Sequence, residues 1–571
     1  MITLTYNQKL NAAIATFPYD PELVQLVKSI GAKAEYESGK FKMWQIELTE
    51  EFESKLDELE SDSRFEIDPM IKAAIETARD WRQENYFLSG AESLSFRMSI
   101  HPVIDESIKD YQRAGVWYIS RNARGVLIGD EMGLGKTLTS LAAVEYMKDS
   151  PVLIVCPAVV KFNWRNEIIK WLPNRSVYTF GAAGKENFRD DLQYYVINYD
   201  ILEKYWKELT SIKFKAIICD ESHYLKNYKA ARTLRVAELA KTIPHKILMS
   251  GTPMLNRPQE IISQLQIINR LDEFGGFWRF ANYYCNAYKS RFGWDLSGAA
   301  HMDELNRQLR ETCYIRREKK AVLFDLPEKT RVDFWIKSDN MPEYRKAESE
   351  LIKFLEESAR LEKDFIKSLE GMSEEENKKA IADYRMDKAQ KAKRAEAIVK
   401  MNVLSQMAAA GKLAAARAWI NNYFEENPNK KLVVFAWHKF IIEELQKEYK
   451  CSVITGEVES EDRAEYVKEF QENPDVKIIV CNIQAGGVGI TLTAADSSLF
   501  LEQGWNPGTM EQAEDRIHRI GQTNPVTIYY MLADETIDRG KWKMIEEKRL
   551  NVKDGVDGFE KMREWFLRGE K

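Results

Sequence analysis

The chain reads as α/β: two doubly wound parallel-sheet lobes, a small N-terminal α+β domain before them and a helical insertion between them. Short apolar runs, of the kind buried on both faces of a parallel sheet, recur with helical patterns between them, and this series occurs twice. In each series a glycine-rich turn directly follows a strand-like run. Between the two, residues 341–411 are rich in Glu, Lys and Ala, with Gly371 as the sole glycine before Gly411. At 571 residues the chain exceeds what one core fills, so several domains are expected.

Residues 1–90 form a small module without a catalytic signature. Met1 to Leu10 reads as a strand leading into a short helix, and Pro21 to Ile30 as a helix ended by Gly31. Phe41 to Leu48, after Ser38-Gly39, reads as the second arm of a hairpin. Ile71, Ile75, Ala78 and Trp81 recur at helical spacing within 68–87. A linker follows around Glu92 to Arg97.

The first lobe spans 91–270. Its strand signals are Gly125 to Ile128, Val152 to Cys156, Tyr195 to Asn198, Ala216 to Cys219 and Lys246 to Met249. Between the first strand and a helical stretch, Leu138 to Met147, lies Gly129-Asp130-Glu131-Met132-Gly133-Leu134-Gly135-Lys136-Thr137. Strand, glycine-rich turn, Gly-Lys-Thr and helix is the layout of a nucleotide phosphate cradle. Glycines such as Gly133 and Gly135 let backbone N–H groups approach phosphate, and the helix N-terminus adds partial positive charge. Lys136 can reach the β- and γ-phosphates, and Thr137 can offer its hydroxyl to Mg²⁺. Asp130 stands where the general pattern has its first glycine, and a chance glycine-rich turn is the plainer alternative. Upstream, Gln112 on the helix Ile108 to Trp117 has an amide suited to an adenine edge, although most helix glutamines are solvated.

Two strand ends in this lobe carry polar groups. Asp220-Glu221-Ser222-His223 puts a carboxylate pair at the carboxyl end of a strand. Asp220 would hold Mg²⁺ through water, and Glu221 would orient and deprotonate the attacking water; a polar strand exit is the alternative. Ser250-Gly251-Thr252-Pro253 ends the next strand, where Ser250 and Thr252 could sense phosphate occupancy, though many such turns do not.

Residues 271–411 form a helical connector and a protruding helical pair. Phe277-Trp278-Arg279-Phe280, Tyr283-Tyr284, Arg291-Phe292-Gly293-Trp294 and Tyr314 to Lys320 interleave aromatics with cations. They suit nucleic-acid contact or a connector core equally. Leu351, Phe354, Leu355, Leu361, Phe365 and Leu369 predict an antiparallel pair turning near Gly371-Met372-Ser373. The basic run Lys388 to Arg394 reads foremost as a solvated face.

The second lobe, 412–545, has strand signals at Leu432 to Phe435, Ser452 to Ile454, Lys477 to Cys481 and Ser498 to Leu501, and a helical tail follows at 546–571. It has no second cradle. Its glycine-rich turn is Gln484 to Leu492, with Gly489 counted among the nucleotide-contacting positions. In Glu511 to Gln522, Arg516 and Arg519 are three apart and share a helix face, so both could reach a γ-phosphate bound to the other lobe. A surface arginine pair is the alternative.

Taken in order, Asp130–Thr137, Asp220–His223, Ser250–Pro253, Gln484–Leu492 and Gln512–Gln522 resemble the motifs of the Swi/Snf branch of superfamily-two helicases. That branch commonly has an aspartate at the position of Asp130. The resemblance covers about 100–545 and implies two RecA-like lobes, ATP with Mg²⁺ between them, DNA across both, and translocation along duplex DNA. It implies that Gln112 reads adenine, that Lys136 and Thr137 bind phosphate and metal, and that Asp220 and Glu221 are the metal-binding and catalytic acids. It further implies that Arg516 and Arg519 are arginine fingers and that Ser250, Thr252 and Gln522 couple hydrolysis to motion. Lys161-Phe162-Asn163-Trp164 and Gly486 to Thr491 resemble strand-tracking segments. Phe292 to Gly298 and Trp505-Asn506-Pro507-Gly508 are similar to the annealing-helicase (HARP) branch. Tyr6 to Leu10 and Lys42 to Ile46 resemble that branch's small DNA-binding domain, so residues 1–90 are either a plain appendage or a DNA-contacting one.

Composition narrows the setting. The net charge of −6 gives no global basic field, although local basic grooves survive in acidic proteins. The six cysteines form no CxxC or Cys/His cluster, so reduced thiols are expected rather than a disulfide frame or zinc site. Neither a secretory signal nor an apolar run of membrane-spanning length is visible. The expected setting is the cytoplasm, for a bacterial or phage enzyme, or the nucleus in a eukaryote. The leading expectation is a DNA-dependent ATPase acting on duplex or forked DNA. The alternatives are an ATP-driven remover of proteins from nucleic acid in defence or transcription, with a protein partner, and a nucleic-acid-binding module with a dead ATPase site.

Overall fold

The computed structural model describes residues 1–8, 12–37, 40–48, 50–94, 98–122, 124–181, 188–251, 257–290, 293–367, 388–486, 489–550 and 558–568. The chain divides into two compact units, Met1–Leu88 with Arg310–Thr312, and the remainder.

The first unit is built on a five-stranded sheet in the order Lys33–Glu37, Lys40–Glu47, Ala12–Thr16, Ile2–Asn7, Phe65–Ile67. The helices Pro21–Ser29, Glu50–Ser61 and Pro69–Ser89 accompany it. Asp20 caps the first helix by accepting from the Glu22 and Leu23 amides at 2.8 and 3.4 Å, and Gly31 follows its end at φ +92°, a conformation glycine adopts freely. Ile2, Leu4, Val27, Ile46, Phe52, Ile71 and Ile75 fill the core. One expectation is corrected. After the first strand comes a second strand, Ala12–Thr16, in place of a helix. Its alanines favour helix, but it pairs on one side with Ile2–Asn7 and on the other with Lys40–Glu47, and this pairing overrides local preference.

The second unit contains both lobes. The first sheet has seven parallel strands in the order Tyr314–Ile315, Val126–Ile128, His245–Met249, Ala216–Asp220, Val152–Cys156, Tyr194–Asn198, Val177–Thr179. The second has six, also parallel, in the order Lys329–Ile336, Val526–Ala533, Ser497–Phe500, Leu432–Ala436, Ile478–Asn482, Ser452–Ile454. Their central strands are buried over their whole length, as their unbroken apolar runs require. Chain order along the first sheet reverses beside Ala216–Asp220, and in doubly wound sheets the crevice at such a point, outside the strands' carboxyl ends, is where ligands bind.

The segment 271–411 gives a strand to each sheet. Tyr314–Ile315 pairs with Val126–Ile128, and Lys329–Ile336 pairs with Val526–Ala533 over its entire length. The helices Met341–Lys367 and Lys388–Ala410 follow; the turn expected near Gly371 lies outside the described residues. Leu351 and Leu355 from one helix, and Met401 and Leu404 from the other, bury against Ile537, Met544, Met562 and Trp565. The base of the pair is therefore packed on helices of the chain's C-terminal part.

Candidate active site

At the carboxyl end of Val126–Ile128, the turn 129–135 leads into the helix Lys136–Tyr146. Gly133 and Gly135 have φ of +83° and +72°, and a Cβ on Gly135 would stand 2.6 Å from Gln112 Nε2, so the turn requires glycine for both conformation and space. Lys136 Nζ folds back over the turn, donating to the Asp130 carbonyl at 2.8 Å and reaching the Glu131 carbonyl at 3.4 Å. Burial lowers its pKa, against the opposing charges of Glu221, Asp130 and Asp220.

The acid pair lies at the end of Ala216–Asp220. Asp220 Oδ2 accepts the Trp164 indole N–H at 2.8 Å, and Oδ1 accepts the Glu221 amide at 2.8 Å. Burial and then the neighbouring Glu221 charge push the Asp220 pKa up to about 6. Glu221 sits at φ +48°, a left-handed conformation uncommon for a residue with a side chain and of the kind found at functional sites. Burial raises its pKa, but His223, Lys136 and Arg516 outweigh that and hold it below the ordinary value. His223 Nδ1 lies 3.1 Å from Glu221 Oε2 and 3.1 Å from Ser250 Oγ, and Ser250 itself reaches Glu221 at 3.4 Å. A polar chain therefore runs from Glu221 to the next strand end.

The helix expected to carry Arg516 and Arg519 ends at Glu514, so the two lie on the turns after it, where each places Nη1 3.3 Å from the Ile490 carbonyl and Arg516 Nε donates to the Gln512 carbonyl at 3.1 Å. Burial, followed by the Arg519 charge, lowers the Arg516 pKa to about 10, while Glu221 pulls it up. Gly489 lies against the first lobe, where a Cβ would overlap the Val160 side chain. A cavity of about 380 Å³ results, lined among others by Gln112, Gly133, Gly135, Lys136, Thr137, Trp164, Asp220, Glu221, Gly489, Arg516 and Arg519.

Some expected positions are placed differently. Asp130 does not line the cavity. It is fully buried and ion-paired with Arg317 at 2.9 Å, an arrangement that clamps the chain after Tyr314–Ile315 to the cradle. Gln112 does line the cavity, but its oxygen accepts the Lys109 amide at 2.9 Å and its nitrogen donates to the Leu134 and Gly135 carbonyls, each at 3.2 Å. Gln522 spends its amide on the Thr493, Ala495 and Ile517 carbonyls, which shape the turn beyond the arginines. Lys161 turns inward to the Phe180 carbonyl at 2.8 Å, and Trp164 turns to Asp220. Thr252 lies outside the described residues. In the basic run Arg316 to Lys320 the connector reading prevails over nucleic-acid contact for three of its cations, which work inside the protein. Arg317 holds Asp130, Arg316 bridges the Gly129 and Gly251 carbonyls at 2.6 and 3.0 Å, and Lys319 pairs with Asp515 at 2.6 Å. The Lys319 backbone amide also donates to Glu131 Oε2 at 2.7 Å, so one residue touches the cradle of one lobe and the arginine segment of the other.

The donor set fits a magnesium ion that is bound chiefly by substrate phosphate and water. Thr137 and Asp220 offer oxygens at one end of the cavity, and the raised Asp220 pKa marks a carboxylate short of positive charge. No cluster of three His, Cys, Asp or Glu exists among the described residues, so no cage built from protein groups alone competes with that arrangement.

A phosphate cradle and acid pair on one parallel-sheet lobe, faced by two arginines from a second, define a two-lobed helicase-like ATPase. Sequence comparison agrees. The SNF2-related domain matches residues 111–394, and the helicase conserved C-terminal domain matches 412–521. The Caenorhabditis elegans homolog of "SWI/SNF-related matrix-associated actin-dependent regulator of chromatin subfamily A-like protein 1" is 30% identical over 94% of this chain and 73% of its own. The Xenopus laevis protein of that name is 31% identical over 93% of this chain and 52% of its own. Human "DNA annealing helicase and endonuclease ZRANB3" is 32% identical over 77% and 39%. A solved structure, "Sulfolobus solfataricus SWI2/SNF2 ATPase core in complex with dsDNA", aligns over 84% of this chain and 98% of its own at 22% identity, with a TM-score of 0.37. The chain belongs to the Swi/Snf family of superfamily-two helicase-like ATPases. It spans about half the length of most of these relatives. Among the described residues no helix is long and apolar enough to cross a membrane.

Proposed function

We propose that this protein is a DNA-dependent ATPase that uses ATP with Mg²⁺ to translocate on duplex or forked DNA and to remodel or rewind it. The observation that carries this reading is the convergence of Lys136, Asp220 and Glu221 with Arg516 and Arg519 on one cavity between two lobes. The names of its relatives, a DNA annealing helicase among them, support DNA as the track.

Lys136 would exchange its two backbone carbonyls for phosphate oxygens, a better partner for a desolvated ammonium. Thr137 and Asp220 would hold the magnesium ion, whose charge neutralises the phosphates and lowers the carboxylate pKa. Glu221, ionised and aimed by His223, would take the proton of the attacking water. Arg516 and Arg519 are two buried cations side by side and would gain from a γ-phosphate, so triphosphate would favour the closed lobes and its hydrolysis release them. The Glu221–His223–Ser250 chain and the Arg316 bridge between Gly129 and Gly251 connect phosphate occupancy to the strand end that follows. Six cysteines in the reduced form support a reducing compartment, the cytoplasm of a bacterial or phage-infected cell or the nucleus of a eukaryote.

The test is ATP hydrolysis with no nucleic acid, single-stranded DNA, duplex DNA, forked DNA and RNA. Strong stimulation by duplex or forked DNA, absent in Glu221→Gln, is expected. Stimulation by RNA alone would overturn the DNA assignment.

A further inference from the structure

The segment after the first lobe sorts its aromatics into two groups. Phe280 and Tyr284 are in the core, fully or nearly buried. Trp278 and Trp294 are 50% and 46% exposed. The two indoles meet at 4.7 Å between ring centroids, tilted by 56°. Trp278 comes from the helix Gly276–Cys285, and Trp294 from the two-stranded ribbon Tyr288–Ser290/Gly293–Asp295. Beside them Tyr283, also exposed, stacks on His301 at 4.1 Å with rings 4° from parallel. Exposing this much aromatic surface in one place is costly unless something covers it.

Charge and chemistry favour one kind of cover. Arg279 and Lys289 are exposed on the same helix and ribbon, and Arg257 is close enough to Asp295 to lower its pKa, although burial of that carboxyl acts the other way. The acids nearby are engaged. Asp295 accepts Tyr288 Oη at 3.0 Å and the Ser297 amide at 2.7 Å, and Glu304 accepts Tyr283 Oη at 2.9 Å. Flat, half-exposed rings with exposed cations on the same helix and ribbon match unpaired nucleobases on a phosphate backbone, because every base has a π-face to stack. The surface is also tied to the motor. Phe277, next to Trp278, packs edge-on against Tyr228 at 5.7 Å, and Tyr228 lies on the segment that leaves Asp220 and Glu221.

We propose that Trp278 and Trp294 form a stacking platform for the unpaired bases of a single strand where it meets duplex. This rests on the reading of the chain as a DNA motor and adds what it does at a junction: one strand is held apart by stacking while the lobes act on the duplex. Arg279 and Lys289 serve the phosphates of the held strand.

The experiment uses the full chain, without nucleotide, and a forked DNA carrying 2-aminopurine at the first unpaired position. Binding is expected to quench its fluorescence. Trp278→Ala and Trp294→Ala should each abolish the quench and weaken fork affinity about tenfold, within the range measured for loss of one stacked base. Both should leave duplex affinity and duplex-stimulated ATP hydrolysis within about twofold. Trp294→Phe, which keeps a ring, should restore most of the quench. Equal losses on fork and duplex would overturn the platform in favour of a structural role. Unchanged fork binding would overturn it in favour of a protein-docking surface. Failure of every DNA to stimulate hydrolysis would overturn the motor reading alone, because the quench is read without ATP.

Discussion

The two lobes are built on the same parallel-sheet plan, yet they hold their functional groups in opposite ways. In the first lobe the charged groups at the cavity follow strand ends and are tied to neighbours. Lys136 rests on two carbonyls, Asp220 on the Trp164 indole, and Glu221 on His223. In the second lobe Arg516 and Arg519 both reach the Ile490 carbonyl, Arg516 also donates to the Gln512 carbonyl at 3.1 Å, and Arg516 is desolvated far enough to lower its pKa to about 10. The first lobe is a binding site in its own right. The second contributes two neighbouring cations whose pKa values burial lowers, and such desolvated charges respond to an anion that is bound beside them.

The sharpest test of this contrast is removal of the arginines. Arg516→Ala or Arg519→Ala should cut the rate of hydrolysis by roughly 10³-fold or more while nucleotide binding, followed by a fluorescent analogue, stays within tenfold. Together they should cost little more than either alone, since they act as one unit. If either variant lost binding and rate equally, the arginines would belong with the first-lobe groups. Glu221→Gln should lower hydrolysis by about 10²–10⁴-fold with binding intact, measured by single-turnover kinetics.

Stability offers a second test. Arg317 and Asp130 form an ion pair with both side chains sealed from solvent. Arg317→Met leaves a buried carboxylate alone and should cost about 3–5 kcal/mol in chemical denaturation. Adding Asp130→Asn should recover part of the loss. An exposed pair such as Arg189–Asp191, given the same treatment, should change little.

Smaller effects follow from the acid pair. The Asp220 carboxyl titrates near 6 in the folded chain against 3.8 when solvated. Between those values the folded state holds a proton that the unfolded state has released, so this residue makes stability fall as pH rises through that window. Glu221, with its pKa lowered, works in the opposite sense and loses its contribution as pH falls. In a chelator, Asp220→Asn should therefore flatten a downward slope of the thermal midpoint between pH 4 and 6, and saturating Mg²⁺ with a nucleotide analogue should flatten it in the wild type. Least of all, Trp164→Phe keeps the ring but drops the N–H that aims Asp220. It should raise the Mg²⁺ concentration for half-maximal activity several-fold, with kcat at saturating metal nearly unchanged.

What the sequence made legible follows the same division. Gly133, Gly135, Lys136, Asp220 and Glu221 could be read because phosphate and water chemistry leaves few substitutes at those spacings, and the buried strands because they are apolar without interruption. Ala12–Thr16 was hidden by residues that prefer helix, and Lys329–Ile336 by the mixed polarity of a strand at a sheet edge. Arg317 and Lys319 stayed open between a nucleic-acid surface and a connector core because a basic run looks the same whether solvated or paired; their partners, Asp130 and Asp515, are brought near only by folding. Trp164 was noticed for its resemblance to a strand-tracking segment, and its hydrogen bond to Asp220 across 56 residues left no local trace.

The connection between the sheets has a kinetic meaning. The chain leaves one sheet at Ile315 and joins the other at Lys329, a tether of roughly 14 residues that cannot span more than ~50 Å even when fully extended. Within that radius the second lobe's guanidiniums are present around the first lobe's phosphates at an effective concentration on the order of millimolar. Closure is a first-order event, so the turnover of each molecule should be independent of how many others are in solution, and free guanidinium-bearing peptides at micromolar levels have no opening in which to compete.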